Sequence, residues 1–166
     1  MSNCFTQACA AALLAFALLT SSSAPGAAEG VKPAVSASGV IATKSAYGLQ
    51  ETVDRLKKDI AAKGITFFQE IDQSALAAKA GIELKPSILL IFGNPPLGTQ
   101  FITANPQAGL DWPVRLLVYR DASGAVWTAY SDFAWIAKRH GVQGRDAQFH
   151  MASEVAASIV SSVVAH

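Results

Sequence analysis

The fold of this chain is decided by residues 114–131, VRLLVYRDASGAVWTAYS. Two runs rich in β-branched and aromatic residues flank the tetrapeptide DASG at 121–124, and Asp, Ser and Gly are the residues that favour a tight turn. In the second run, residues 125–131, successive side chains point to opposite faces, as they do in a strand. The stretch therefore predicts a β-hairpin, and hence a sheet that is mostly antiparallel.

Three more strands are predicted on the N-terminal side of this hairpin. Residues 87–92, SILLIF, form a continuous apolar run after Pro86, which is typical of a buried strand. Residues 65–71 are rich in β-forming residues, and residues 39–46 form a weaker strand that we expect at a sheet edge. We expect these segments and the hairpin to build one sheet.

Helices are predicted from the spacing of apolar residues. Over residues 49–63 such residues recur at intervals of four, three and four, and Gly64 follows as a helix-ending glycine. A short helix is expected with Ser74 as its N-cap and Gly81 at its end.

Two further helices are predicted after the hairpin. One begins after Asp132 and ends near His140, and the last begins at Gly144 or Arg145. Because helices and strands do not strictly alternate, we predict the α+β class rather than a doubly wound parallel sheet. We expect a single domain over residues 39–166, with the two long helices on one face of the sheet.

The N-terminal 28 residues contain no Lys, Arg, Asp or Glu, and residues 8–19 are an apolar run of 12. A run of that length is too short to span a bilayer but fits the centre of a secretory signal peptide. We expect residues 1–28 to be a cleaved signal peptide, followed by a flexible leader at 29–38. The mature protein is then periplasmic or secreted, without stable membrane insertion. Because residues 1–7 lack Lys and Arg, the alternative remains that the segment is retained as a short hydrophobic arm or a membrane anchor.

Composition excludes several kinds of site. Cys4 and Cys9 both lie in the predicted signal peptide, so the mature chain has no thiol for a disulfide or a zinc site. A net charge of +1 gives no basic surface for nucleic acid, and we predict no nucleic-acid partner. His140, His150 and His166 lack the spacing of metal ligands, so we expect no metal and no cofactor.

Between about residue 46 and residue 163 the sequence holds a characteristic series of short segments: TVDRL at 52–56, ID at 71–72, LLIFGNP at 89–95, LDWP at 110–113 and LLVY at 116–119, with Gly64, Gly124 and Tyr130. By these segments the sequence resembles the domain of unknown function 302 (DUF302) family. The resemblance implies a β-α-β(4)-α domain of the TATA-binding-protein-like class, often a homodimer, with no agreed activity. It also implies that Trp112 is a departure, because the family often has an aliphatic residue there. A fold shared with DNA-binding proteins does not imply DNA binding.

Residues 93–99, GNPPLGT, have the glycine spacing of a phosphate loop but not its chemistry. The loop's Lys is missing, and two prolines remove N–H donors. The segment is either a rigid turn after a buried strand or the rim of a groove for a ligand or a second subunit. For a groove, the candidate binding residues are Gly93, Asn94, Pro95, Asp111 and Trp112. We expect all of these except Asp111 to lie close together, because about 20 residues connect two strands of one sheet there.

Three functions remain open. The one we favour is a non-catalytic exported domain that binds a small or apolar ligand, or a partner, in a groove near residues 93–99. The alternative is a structural homodimer without a ligand. The third is an enzyme, for which Asp111, Asp132, His140 and Glu154 are acid–base candidates by residue type only. No catalytic residue is assigned, since a motif such as G-x-S-x-G is absent.

Overall fold

Residues 35–165 are described by the structure, which is a computed structural model. Their strands are β1 Val40–Lys44, β2 Thr66–Asp72, β3 Ser87–Gly93, β4 Val114–Arg120 and β5 Val126–Ser131. Their helices are α1 Leu49–Ala62, α2 Gln73–Lys79, α3 Pro95–Ala104, α4 Phe133–Arg139 and α5 Asp146–Ser161, and a 3₁₀ turn covers Pro106–Leu110. The strands form one sheet in the order β1-β5-β4-β3-β2, and every neighbouring pair is antiparallel. The predicted α+β class is confirmed.

One face of the sheet is buried under helices. Leu90 of β3, Leu116 and Val118 of β4 and Thr128 of β5 point to this side and are almost completely inaccessible. The helical side of the same core comes from α1, α3, α4 and α5, and its largest members are Val53, Leu56, Ile60, Phe101, Phe133, Ile136, Phe149 and Ile159. The two long helices therefore lie on the same face, as predicted.

The opposite face of the sheet, called the open face below, keeps its side chains partly exposed. Its members share a half-buried environment and alternate in sequence with core residues; they are Ala42, Ile71, Leu89, Ile91, Leu117, Tyr119, Trp127 and Ala129. Helix α2 contributes no buried residue to either face. The described helices that pack on the sheet thus leave the open face uncovered.

The β4–β5 hairpin is held by one carboxylate. Asp121 Oδ1 accepts the N–H groups of Ser123 at 2.8 Å and Ala125 at 3.0 Å, and Oδ2 accepts the indole N–H of Trp127 at 2.8 Å. Hydrogen bonds from the Ser123 hydroxyl and from Trp127 lower the pKa of Asp121 to about 2. Gly124 completes the turn with a φ of 88°, a conformation that favours glycine.

Two local predictions near the helices were wrong. The N-cap of α2 is Asp72 rather than Ser74: its carboxylate accepts the Ala75 N–H at 2.8 Å, and Ser74 donates its hydroxyl to the same oxygen at 2.6 Å. Both hydrogen bonds lower the pKa of Asp72, and the bond from the Ser74 hydroxyl has the larger effect. The rigid turn considered for residues 93–99 is also wrong beyond Asn94, because α3 begins at Pro95.

The predicted signal peptide, residues 1–28, lies outside the described residues, as do residues 29–34 of the predicted leader. The rest of that leader forms a turn: the Ser36 carbonyl accepts the Gly39 N–H at 2.9 Å, and Val35 bridges Ile41 of β1. In the part of the chain that is described, no helix combines the length and the apolar character needed to cross a membrane.

Candidate functional site

An open groove of about 460 Å³ runs along one side of α5. Met151, Glu154, Val155 and Ser158 form its α5 wall, and their spacing of three, one and three residues places them on one helix face. Small-molecule sites usually have volumes of about 300–1,000 Å³. The groove is thus of a size to hold a small molecule.

The other wall of the groove is built by two segments that meet opposite α5. Lys63 and Ile65 come from the connection between α1 and β2, and Asn94 and Leu97 come from the start of α3. Lys63 is paired with Asp59 at 2.6 Å. Aliphatic side chains therefore line the wall, while polar groups stand at its edge.

A narrow pocket of about 30 Å³ adjoins the groove on the side of the core. The two cavities share Ile65, Asn94, Leu97 and Val155. Beyond these shared residues the pocket is lined by Phe92, Gly93, Gly98, Phe101, Trp112, Val114, Phe133, Ala152 and Ala156. Apart from Asn94, its lining side chains are apolar or aromatic, so it suits the apolar end of a ligand.

Trp112 forms a wall of this pocket by packing on two glycines. A Cβ placed on Gly98 of α3 would lie 1.8 Å from the indole Nε1, and one placed on Gly93 of β3 would lie 3.1 Å from it. Phe68 meets the indole edge-on, with ring centroids 6.2 Å apart. The indole therefore occupies space that only residues without a side chain leave free.

The start of α3 brings Asn94 to the groove. Asn94 is the N-cap, and its Oδ1 accepts the Leu97 N–H at 3.3 Å. Pro95 and Pro96 occupy the first helical turn, where a missing N–H costs nothing. Further along the helix, Phe101 stacks on Phe149 of α5 with ring centroids 4.1 Å apart, which fixes α3 against the core.

Four of the five predicted binding residues lie together. Gly93, Asn94 and Trp112 line the narrow pocket, and Pro95 directly follows Asn94 as the exposed first residue of α3. Asp111 precedes Trp112 in sequence but lines a separate cavity of about 20 Å³. The structure thus brings Asp111 to a different place from the other four.

Asp111 instead joins β4 to α4. Its Oδ2 lies 2.6 Å from His140 Nε2 and 3.0 Å from Arg139 Nη1, and Arg115 Nη2 lies 3.5 Å from Oδ1. The side chains of Asp111 and His140 are only 7% and 5% exposed. A cavity of about 20 Å³ beside this carboxylate has room for a water molecule rather than a substrate. The cluster therefore ties two elements together.

The other acid–base candidates stand apart from this cluster. Asp132 caps α4 by accepting the N–H groups of Ala134 and Trp135. Glu154 lies on the groove edge, well exposed, with His150 Nδ1 at 3.5 Å. Within residues 35–165, no three His, Cys, Asp or Glu side chains are grouped so as to hold a metal ion.

With this geometry, the chain can be compared with known proteins. Residues 41–163 match the family model described as "Domain of unknown function DUF302". The chain belongs to the DUF302 family. Its fold is also that of a solved DUF302 protein, an uncharacterized conserved protein from Bacillus stearothermophilus, with a TM-score of 0.69 at 15% identity. That superposition covers 75% of this chain and 98% of the other, so the predicted family and fold are confirmed.

Curated relatives carry a different name. The chain is 38% identical over 105 residues to fluoride-specific ion channel FluC 1 of Brucella suis biovar 1 (strain 1330), a match covering 63% of this chain and 41% of that protein. The fluoride-specific ion channel FluC 1 of Brucella abortus biovar 1 (strain 9-941) matches at the same identity, with 39% of its length covered. This DUF302 chain thus spans about two-fifths of the length of the curated relatives it matches.

Sequence reasoning missed the α5 wall of the groove in this DUF302 domain. Met151, Glu154, Val155 and Ser158 were not among the predicted binding residues, although their helical spacing was available. The apolar spacing of α5 identifies its buried side, which includes Phe149, Ala152 and Ile159, and the groove residues lie on the neighbouring side of the helix. The pairing of Asp111 with His140 had no local signal, because 29 residues separate them.

The contact between Gly98 and Trp112 gives a testable prediction. An alanine in a helix interior normally stabilises relative to glycine, by about 1 kcal/mol. Gly98→Ala should instead reduce the free energy of unfolding by about 1–3 kcal/mol, because its Cβ displaces the indole. Urea unfolding measures this change.

Gly109→Ala is the matched control, because its Cβ would meet Ile102 at an ordinary 3.8 Å. Its stability should stay within about 0.5 kcal/mol of the parent. The double variant Gly98→Ala/Trp112→Leu should lose less free energy of unfolding than the two single variants lose in sum. Equal stability of the two glycine variants would contradict the close packing described above.

Proposed function

We propose that this DUF302 domain binds a small amphipathic molecule, without catalysis, in the groove between α5 and the start of α3. The observation that carries the proposal is that the open groove, about 460 Å³, adjoins the narrow apolar pocket beside Trp112 and shares four lining residues with it. Ligand sites are commonly apolar clefts with a few placed polar groups. We also propose that binding takes place after export, for which the support is the apolar run at residues 8–19.

The edge of the groove indicates the kind of polar group such a ligand carries. Lys63 is already neutralised by Asp59, and Glu154 supplies one carboxylate. Asn94 and Ser158 add an amide and a hydroxyl. Lys63 and Asp59 cancel each other, so the solvent-exposed Glu154 carboxylate is the one uncompensated charge among these groups, and the edge suits a neutral polar head rather than an anionic one.

The arrangement of titratable groups supports binding over chemistry. General acid–base catalysis needs a positioned acid and base that both reach the substrate. Asp111 and His140 are engaged with each other away from the groove, while Glu154 is the groove's lone carboxylate among the lining residues. The groove residues thus supply walls and hydrogen-bonding groups.

Filling the groove tests this proposal. The probe is N-phenyl-1-naphthylamine, a neutral dye that fluoresces in apolar sites. Ser158→Trp places an indole in the groove and should weaken dye binding by about tenfold, equal to about 1.4 kcal/mol. Fluorescence titration measures the change.

Ala157→Trp is the control, since Ala157 is exposed on α5 but does not line the groove. It should bind the dye as the parent does, and circular dichroism checks that both variants are folded. Dye binding that is absent in the parent, or equally strong in Ser158→Trp, would refute a ligand site here.

A second proposal rests on the curated relatives: this domain acts alongside a fluoride-specific ion channel. The support is 38% identity over 105 residues to proteins of that name. Since the match covers about two-fifths of those proteins, the part they share with this chain is one section of a larger protein.

Growth in fluoride tests the second proposal. Deleting the gene should reduce growth in sodium fluoride but not in sodium chloride at the same concentration, and the parent gene should restore it. If a gene that encodes Ser158→Trp also restores growth in fluoride, this role does not depend on ligand binding in the groove. Equal growth of the deletion and parent strains in fluoride would count against any link to the channel.

The third proposal, the alternative to ligand binding, is a homodimer formed through the open face. Its support is the row of partly exposed apolar side chains across all five strands, with Leu117 at the centre between Leu89 and Ala129. Apolar surfaces that are contiguous on a soluble domain usually mark an interaction site. A two-fold contact would bury the same patch on both copies.

A charge at the centre of the open face tests the dimer. Leu117→Lys should convert a micromolar dimer to a monomer in sedimentation velocity, because the dimer would bury the unpaired ammonium. Ala157→Lys, on the far side of the helical layer, should remain dimeric. A parent protein that sediments as a monomer at every concentration would dispose of this proposal.

A further inference from the structure

We infer that Trp112 sets how far the apolar part of a bound molecule enters the domain, so that this chain selects linear ligands by their apolar length. The inference rests on the proposed function, because it concerns the inner end of the same groove. Trp112 lines the narrow pocket but not the outer groove. It is thus placed to act on the tail of a ligand rather than on its head.

The indole is a fixed wall rather than a mobile lid. Gly98 and Gly93 belong to different elements, α3 and β3, and both are buried directly against the ring. Phe68 of β2, itself 46% exposed, meets the ring edge-on from a third element. A ring confined by three elements keeps its position, so the pocket that it bounds has a fixed depth.

The depth of the pocket determines which ligands gain from a longer chain. The accessible volume beside Trp112 is about 30 Å³, room for only one or two carbon atoms beyond the groove. Each methylene group removed from water tightens binding by roughly fourfold. Affinity therefore rises with chain length until the tail meets the indole and then stops rising.

A smaller side chain at position 112 moves that limit. Trp112→Leu removes the ring from both glycines and enlarges the pocket, so about two more methylene groups fit before affinity levels off. Trp112→Phe removes less volume and should move the limit by less. A chain-length limit that increases in the order parent, Trp112→Phe, Trp112→Leu shows that the side chain at position 112 determines which chain lengths are accepted.

The experiment uses unbranched primary alcohols from butanol to decanol, whose neutral hydroxyl suits the polar groove edge. Each alcohol displaces N-phenyl-1-naphthylamine from the purified protein, and the chain length at which affinity stops rising is recorded. Trp112→Leu should extend this limit by about two carbons, with roughly tenfold or greater tightening for the longest alcohols. Trp127→Leu, on the open face, is the control and should keep the parent's limit.

The possible outcomes separate the inference from the proposed function. If the alcohols displace the dye but the parent, Trp112→Phe and Trp112→Leu level off at the same length, the inference is overturned and the groove still binds. An equal shift in Trp127→Leu also overturns it. If the dye does not bind the parent at all, the proposed function fails and the inference fails with it. Should Trp112→Leu prove unfolded by circular dichroism, Trp112→Phe alone decides.

Discussion

Burial of a single sheet face under one helical layer is the constraint on which the rest of this structure depends. Because side chains alternate along each strand, Leu116 and Val118 reach the helices while Leu117 and Tyr119 cannot. All the long helices therefore pack on the same side of the sheet. The groove lies where this layer is incomplete, at the gap between α5 and the start of α3.

Helix α3 shows how the helical layer produces a site. Its sequence, PPLGTQFITA, has two prolines, a glycine and β-branched residues, so its intrinsic helix propensity is low. It forms because Asn94 caps it and because Phe101 is buried against Phe149. Gly98, the residue that weakens the helix most among its interior positions, is also the one that lets Trp112 approach. The same residue thus reduces local stability and shapes the pocket.

Patterns within one element were predictable from the sequence, whereas most contacts between elements were not. The alternation in β5 and the spacing of Val53, Leu56 and Ile60 in α1 reflect local geometry, so they identified strands, helices and core correctly. Grouping Gly93, Asn94 and Trp112 succeeded because chain connectivity limits how far apart they lie. Helix α3 was missed because tertiary burial outweighs its propensity, and the α5 wall of the groove exists only relative to α3.

The ligand-binding and dimer proposals use opposite sides of the sheet, and this has a consequence for their relation. The groove is bounded by α5 and α3, which pack on the buried face, whereas Leu117 lies on the open face. A dimer formed through the open face would therefore leave the groove of each copy accessible. Binding and assembly are then independent properties of one domain, and a change that breaks one has no steric reason to break the other. An effect of Leu117→Lys on dye binding would thus point to coupling carried through the sheet rather than to a shared surface.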